Sequence, residues 1–422
     1  MSRLTILICG KLYDGVHDEL QENKRIFIRN GKIEEITEST EIPEGADVID
    51  LSNTTVTPGM IDAHVHMDYR DWHNIRQEVY HTSEEMKTLA VLRCAQKALS
   101  HGFTSVRHMG NINAVGYGVI DVRNAINEGM FTGARIICAP MSLCTPGSHG
   151  DASQSYAGNF RAASLLQAMK PVCGSGSDFF VNAVREQVKY GADFIKIMAT
   201  GGFFTPNDTP LQKQMNDAEL EAVIRTAHEL GTTVTAHVYA PDMMKTMLEM
   251  GIDGCEHGSL MDEETAQLFV DKGAYLVPTF CPYDEAVHYD PEKLKDKQPE
   301  FRAKLELYKD RLIAGRKVIV GSKIKLGYGT DFVANHQNYD SGWEYDAWMR
   351  SGMEPFRILK AATKTNAEIL GIDAFTGTIE KGKNADISAW KRDLLNDSKA
   401  LLDCAFVMKD GIVYPTEPSS DL

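Results

Sequence analysis

The chain has 422 residues, enough for a large core plus an accessory domain, and its 43% hydrophobic and 24% charged residues match an ordinary soluble globular enzyme. Lys and Arg total 44 against 59 Asp and Glu, a formal net charge of −15. That balance excludes a broadly cationic nucleic-acid surface and general adhesion to anionic membranes. No apolar run reaches the roughly 18 residues a membrane helix needs. The apolar stretch of MSRLTILICGKLYDG falls short of the roughly 7–15 residues of a signal-peptide core, so a cytoplasmic protein is expected. The eight cysteines (9, 94, 138, 144, 173, 255, 281 and 404) are scattered with no CxxC pair. They suggest thiols in a reducing compartment rather than a disulfide framework or a Cys zinc site.

Residues 1–58 and 376–422 share a texture of short strands broken by Gly, Asn and Asp turns. KRIFIRNGKIEEIT (24–37) alternates around Asn30-Gly31, AFVMKDGIVY (405–414) around Asp410-Gly411, and ADISAW (385–390) reads as a further strand. The two ends are expected to form one composite β-sandwich domain. Residues 59–375 instead alternate short apolar strands with amphipathic helices. MIDAHVH (60–66) is followed by a helix over EEMKTLAVLRCAQKALSHG, opened by a Thr82/Glu85 capping box. TSVRHM (104–109), a helix through VIDVRNAINEG, ARIICA (134–139), a long loop, a helix from FFVNAVREQVKYG and DFIKIM (193–198) come next. The following helix places Leu220, Val223, Ile224, Ala227 and Leu230 on one face. TVTAHV (233–238), DGCEHG (253–258), AYLVPTF (274–280) and IKLGYGTD (324–331) complete eight strands. The predicted fold class is α/β, a (β/α)8 TIM-like barrel with a small β-sandwich domain; a doubly wound open sheet is the alternative.

The barrel is preferred because of where the polar residues fall. Strand one ends in His64-Val65-His66, strand four carries Lys196, strand five His237, strand six His257 and strand eight Asp331. The C-terminal strand ends of a barrel share one face, so residues distant in sequence converge there. Residues two apart in a strand point the same way, so His64 and His66 can reach one ion. Imidazole and carboxylate suit zinc and similar divalent metals. A lysine among them is costly if charged and buried. Either Lys196 snorkels to water, or its neutral amine takes up carbon dioxide to become a carbamate that bridges two ions.

TPGMIDAHVH (57–66), FIKIMATGG (194–202), TAHVY (235–239), CEHGSLMD (255–262) and YGTD (328–331) resemble the amidohydrolase superfamily over nearly the whole chain. The resemblance implies a metal-dependent hydrolase of a carbon–nitrogen bond with two divalent metal ions, zinc foremost, with manganese, cobalt or nickel as alternatives. It implies that His64, His66 and Asp331 hold one ion and His237 and His257 the other, with carboxylated Lys196 and a hydroxide between them. IKIMATGG, AHVY and SHGD (148–151) resemble the Xaa-Pro dipeptidase and imidazolonepropionase-related group, whose relatives include hydrolases of N-acyl amino acids, ochratoxin-type amides and phenylureas. Strand two departs from many relatives, placing His108 where they have an aspartate.

The implied substrate is a small-molecule amide, either a dipeptide of Xaa-Pro type or an N-acyl amino acid. Asp331 would move the proton, Tyr239 would serve as an oxyanion donor, and His149 would contact substrate. Arg161, Arg107 and Lys213 are candidates by location for meeting a substrate carboxylate. Gly201-Gly202 suggests close backbone approach under substrate or metal crowding. The stretch 328–350, with His336, Trp343 and Trp348, is expected to overhang the site or to pack a subunit interface. A homo-oligomer is expected, with no nucleic-acid or membrane partner. Alternatives are an aryl amide, carbamate, phenylurea or cyclic-amide hydrolase, a deaminase, and a non-catalytic assembly protein on the same fold.

Overall fold

The computed structural model describes residues 3–69, 82–111, 115–151, 153, 158–169, 172–288, 295, 298–334, 339 and 342–419. The N-terminal segment forms β1 (Thr5–Leu12), β2 (Gln21–Glu22), β3 (Arg25–Arg29), β4 (Lys32–Thr37) and β5 (Asp47–Pro58). The barrel strands are β6 (Met60–Tyr69), β7 (Phe103–Asn111), β8 (Arg135–Met141), β9 (Phe194–Met198), β10 (Thr233–Val238), β11 (Gly254–His257), β12 (Tyr275–Val277) and β13 (Lys325–Leu326). A short β14 (Phe332–Ala334) follows, and β15 (Ile387–Trp390), β16 (Cys404–Lys409) and β17 (Ile412–Tyr414) close the chain.

Strands β6, β7 and β8 pair in parallel, and so do β9 through β13 in sequence order. Two seams join these groups into a ring. Past β8, Leu143 exchanges backbone hydrogen bonds with β9, through Lys196 O and Met198 N. Past β13, Tyr328 O accepts from Ala63 N, and Asp331 N donates to His64 O. The result is a closed, parallel, TIM-like α/β barrel.

Helices α1 (Glu84–Ser100), α2 (Gly118–Asn127), α3 (Phe160–Met169), α4 (Ser177–Tyr190), α5 (Asp217–Glu229), α6 (Pro241–Glu249), α7 (Glu263–Lys272), α8 (Asp284–His288) and α9 (Pro299–Gly321) alternate with the barrel strands. The apolar faces of α1, α2, α4, α5, α6 and α7 pack on the strands in one extended core. In α5, Leu220, Val223, Ile224 and Ala227 are buried as their spacing predicts. Leu230 is instead the helix C-cap and is exposed, because the chain turns away there at Gly231. The N-cap of α1 is Ser83, whose hydroxyl accepts from Met86 N, so the cap lies one residue beyond Thr82. Strands seven and eight are shorter than expected. Strand seven stops at Val277, just before Pro278 and the positive-φ Thr279; in strand eight, side chains at Gly327 and Gly329 would collide with Val277 and with His64, so the chain crosses there as irregular backbone.

Both chain ends enter a single hydrogen-bonded sheet of order β17-β16-β15-β5-β1-β3-β4, with β2 beside β1. Asn30-Gly31 and Asp410-Gly411 are the two-residue hairpin turns their sequences suggest, all four with positive φ. The turns touch each other: a Cβ on Gly31 would lie 2.6 Å from Asp410 O. Leu7, Ile26, Ile28, Val56, Ile387 and Phe406 share the core of this sheet. Six of the eight cysteines are buried and two half-buried. Among the described residues, no helix is long and apolar enough to cross a membrane.

Two buried carboxylates tie the barrel together. Asp62 accepts from His64 N (3.0 Å), Thr330 N (3.1 Å), Thr330 Oγ1 (2.7 Å) and Tyr339 Oη (3.1 Å), fastening the strand-eight crossing to β6. Burial pushes its pKa up to about 6, against these four donors. Glu256 accepts from His64 Nδ1, Arg107 Nη2 and Thr235 Oγ1, drawing β6, β7 and β10 onto β11. Arg107 is 2% exposed and also bonds Ala63 O and Tyr275 Oη. It is a buried structural cation, and the expectation that it meets a substrate carboxylate is corrected.

Asp62→Ala leaves buried donors unmet and is expected to lower unfolding free energy in urea by about 3 kcal/mol; an unchanged midpoint would contradict the closure role. Arg107→Met strands the Glu256 charge and is expected to cost about 3–5 kcal/mol. Burial alone would raise the Glu256 pKa, but Arg107, His64 and Lys196 outweigh it and hold it at about 2. With its folded pKa depressed, Glu256 contributes stability above the ordinary carboxylate pKa of about 4.3 and loses it as pH falls toward about 2. The urea stability of metal-free wild type should therefore fall more steeply below pH 4.5 than that of Glu256→Gln.

Candidate active site

The fold sets His64 and His66 on one side of β6, inside the mouth of the barrel. His64 Nδ1 is 2.7 Å from Glu256 Oε2, and His66 Nδ1 donates to Gly110 O at 2.8 Å. Each imidazole is thus oriented through Nδ1 and turns Nε2 inward. Asp331 Oδ1 lies 3.3 Å from His64 Nε2 and 3.6 Å from His66 Nε2. One ligand atom from each of these residues fits within 4.8 Å of the others.

The second group of predicted residues adjoins the first. The His257 ring centroid is 5.1 Å from that of His64 and 4.7 Å from that of His237. His257 Nδ1 is hydrogen-bonded to Thr279 Oγ1 at 2.7 Å. Lys196 is 1% exposed on β9, in register with Thr235 of β10. His149 stacks on His237 with centroids 4.3 Å apart, and Tyr239 stacks on His257 at 5.2 Å. The Tyr239 and Tyr283 hydroxyls are hydrogen-bonded to each other. His257, Thr279 and Asp331 all take positive φ (68°, 45° and 55°) at strand ends. Such strain in residues other than glycine persists only where the surrounding structure enforces it, and it is concentrated at functional sites.

The electrostatics favour the neutral nitrogen donor at three of the four imidazoles. Burial pushes His66 down to about 3 and holds His237 and His257 well below the ordinary imidazole range. His64 is raised: burial lowers it, but Asp331 and Glu256 outweigh that effect. Burial brings Lys196 down to about 8, against the pull of Glu256 and Asp331. Burial would raise Asp331, yet His64, His66 and Lys196 keep its carboxyl below the usual range.

These residues fit a divalent metal. The Nε2 atoms of His64 and His237 are buried without a hydrogen-bond partner. A buried polar atom left unmet is costly, and a cation is the partner that neutral imidazoles and a carboxylate select.

Other expectations divide. Gly201 and Gly202 do mark close approach, but to protein: a Cβ at Gly202 would lie 2.3 Å from the His149 ring, and one at Gly201 2.3 Å from Thr209 O. Lys213 is half-exposed and paired with Asp217. Arg161 is exposed on α3. Trp348 is fully buried in the core and donates to Glu344, so it packs under the site. Trp343 is exposed, and His336 lies outside the described residues. His108 is buried; its Nδ1 accepts from Met67 N at 3.2 Å, which leaves Nε2–H to donate to Asn111 Oδ1 at 3.0 Å. It therefore sits as a neutral imidazole edge-on to His66, with centroids 6.3 Å apart.

Sequence reasoning missed Asp62, Glu256, Thr279, Asp208, Tyr283 and Lys304. Asp62 and Glu256 carried a signal, since an acid inside an apolar strand beside a histidine is seldom buried without a task.

Comparison with known proteins agrees with the geometry. The Amidohydrolase family model matches residues 55–416. The chain is 27% identical to an ochratoxinase of Aspergillus niger over 416 residues, covering 94% of this chain and 83% of that one. It superposes on a Xaa-Pro dipeptidase structure with methionine bound in the active site at a TM-score of 0.86 and 29% identity, covering 98% and 100% of the two chains. A prolidase complexed with N-methylphosphonate-L-proline gives 0.82 and 26%, again covering 98% and 100%. With its paired histidines and strand-end aspartate at the barrel mouth, the chain belongs to the amidohydrolase family and is a hydrolase of carbon–nitrogen bonds.

Proposed function

We propose that the enzyme hydrolyses the amide bond of a dipeptide of Xaa-Pro type or of an N-acyl amino acid. His64, His66 and Asp331 would hold one divalent ion and His237 and His257 a second, with Lys196 as a carbamate between them. The observation that carries this reading is the pair of buried Nε2 atoms on His64 and His237 that make no hydrogen bond, the first facing Asp331 Oδ1 at 3.3 Å, in the two adjoining groups of imidazoles. A pKa of about 8 gives Lys196 an accessible neutral amine, the form that reacts with carbon dioxide. Zinc is the first candidate metal, and manganese, cobalt and nickel suit the same donors.

When bound, divalent ions supply a water that is nucleophilic near neutral pH and polarise the scissile carbonyl. The protein's residues do the rest. Asp331, held ionised, takes the proton of the attacking water and delivers it to the leaving nitrogen. Of the bonded Tyr239–Tyr283 pair, one hydroxyl proton stays available to meet the carbonyl oxygen. His149, stacked on His237, offers its other ring edge to substrate. Phe203, Tyr283, Phe301 and Tyr308 form an apolar cluster with Tyr239 that limits water there. The same cluster suits an aryl group and favours an aryl-amide substrate as the second reading, in line with the ochratoxinase likeness.

The domain division belongs to this proposal: residues 1–58 and 376–422 act as a β-sandwich unit beside the barrel of 59–375. Its support is the shared sheet and the touching hairpin turns. A cytoplasmic homo-oligomer completes the reading.

The test is release of free amino acids by metal-reconstituted enzyme from Xaa-Pro dipeptides, other dipeptides and N-acyl amino acids, with ammonia followed in the same wells. Amino-acid release without ammonia, abolished in Lys196→Ala, is expected. Silence across the panel would overturn the dipeptidase reading and move the search to aryl amides and ureas; ammonia release would point to a deaminase. On whichever substrate turns over, Asp331→Asn should lower kcat by about 10²–10⁴-fold.

A further inference from the structure

Lys304 lies on α9, outside the barrel, yet its side chain is nearly buried and each of its three ammonium protons has an acceptor. These are Gly202 O (2.7 Å), Thr205 O (2.5 Å) and Asp208 Oδ1 (2.8 Å). Asp208 has no exposed side-chain surface and also accepts from Gly202 N, Gln214 Nε2 and the Thr205 hydroxyl. Gln214 in turn presents Oε1 to His149 N at 2.9 Å, and Thr205 Oγ1 sits 3.0 Å from His149 Nδ1. The stacking of Phe204 on Phe301, with centroids 4.2 Å apart, docks α9 on this same loop.

The hydrogen bonds from Lys304 to His149 all point in one direction. An ammonium only donates, so the carboxylate oxygen it meets accepts. The Thr205 hydroxyl spends its single proton on that carboxylate, so its lone pairs must accept from His149. Nδ1 of His149 therefore carries the hydrogen, so that in the neutral ring Nε2 is the nitrogen with the lone pair. We propose that Lys304 is a positioning residue for the reaction: acting through Asp208 and Thr205, it fixes His149 as the Nδ1–H tautomer, with Nε2 as the atom presented to substrate. The charge on Asp208 suits this role. Burial would raise its pKa, but His149, Lys304 and Thr205 hold it well below the usual carboxylate range. The loop after strand four and the helix after strand seven thus act together on one imidazole. The kinetic consequence rests on the reading of His149 as a substrate contact; the tautomer does not.

The experiment is ¹⁵N-histidine NMR of the metal-free and zinc-loaded protein, with the His149 signals assigned by their loss in His149→Gln, alongside kinetics on the substrate that turns over. The wild type should show one Nδ1–H tautomer. Lys304→Met should mix the tautomers and lower kcat by about 10–100-fold, with KM and metal content little changed. Lys304→Arg, which keeps the charge and the donors, should restore both. An Nε2–H tautomer in the wild type overturns the proposal, as does a Lys304→Met spectrum identical to wild type. If Lys304→Met does not fold, Asp208→Asn serves, since an amide that can both donate and accept should mix the tautomers. A single Nδ1–H tautomer in a protein silent toward every substrate would refute the proposed function and leave the tautomer assignment standing.

Discussion

The Glu256 carboxylate accepts from three other barrel strands at once, and the site depends on that junction. Its contacts reach His64 on β6, Arg107 on β7 and Thr235 on β10, from a residue on β11 that directly precedes His257. An uncompensated charge there would be prohibitive; with Arg107 beside it, the carboxylate orients the first imidazole of the site and draws the ring of strands inward. The same charge opposes the burial that pushes the Lys196 pKa down, so one acid bears on both groups of candidate ligands.

Around that junction three further imidazoles are each fixed by a partner outside the reactive space. Gly110 O holds His66, Thr279 holds His257, and the loop carrying Asp208 holds His149. The strained backbone at His257, Thr279 and Asp331 is sustained by the surrounding hydrogen bonds, including those of Asp62 with Thr330. Binding sites built this way are stiff before ligand arrives, which favours catalysis by preorganised charge over catalysis by rearrangement.

The barrel and the convergence of its strand ends were legible because ligand-type residues recur at the ends of apolar strands, a periodicity that a barrel turns into a single face. The hairpin turns were legible because Asn-Gly and Asp-Gly meet a backbone demand for positive φ that few other residues meet. The supporting residues were not. Asp208, Thr205 and Gln214 share one loop, while His149 and Lys304 come from two other segments, and only folding brings the three together. Arg107 misled for the same reason: a cation on a barrel strand can face substrate or a buried acid, and local pattern does not separate the two. The end of strand eight was overestimated because Gly327 and Gly329 mark close crossing, which periodicity does not register.

The most direct measurement of the central claim is the metal content per chain, by elemental analysis, of protein reconstituted with zinc in bicarbonate and dialysed, for the wild type and for Lys196→Ala. The account predicts two ions per chain in the wild type and loss of at least one in Lys196→Ala. A wild type that retains no more than one ion, or a Lys196→Ala protein that retains two, would contradict it.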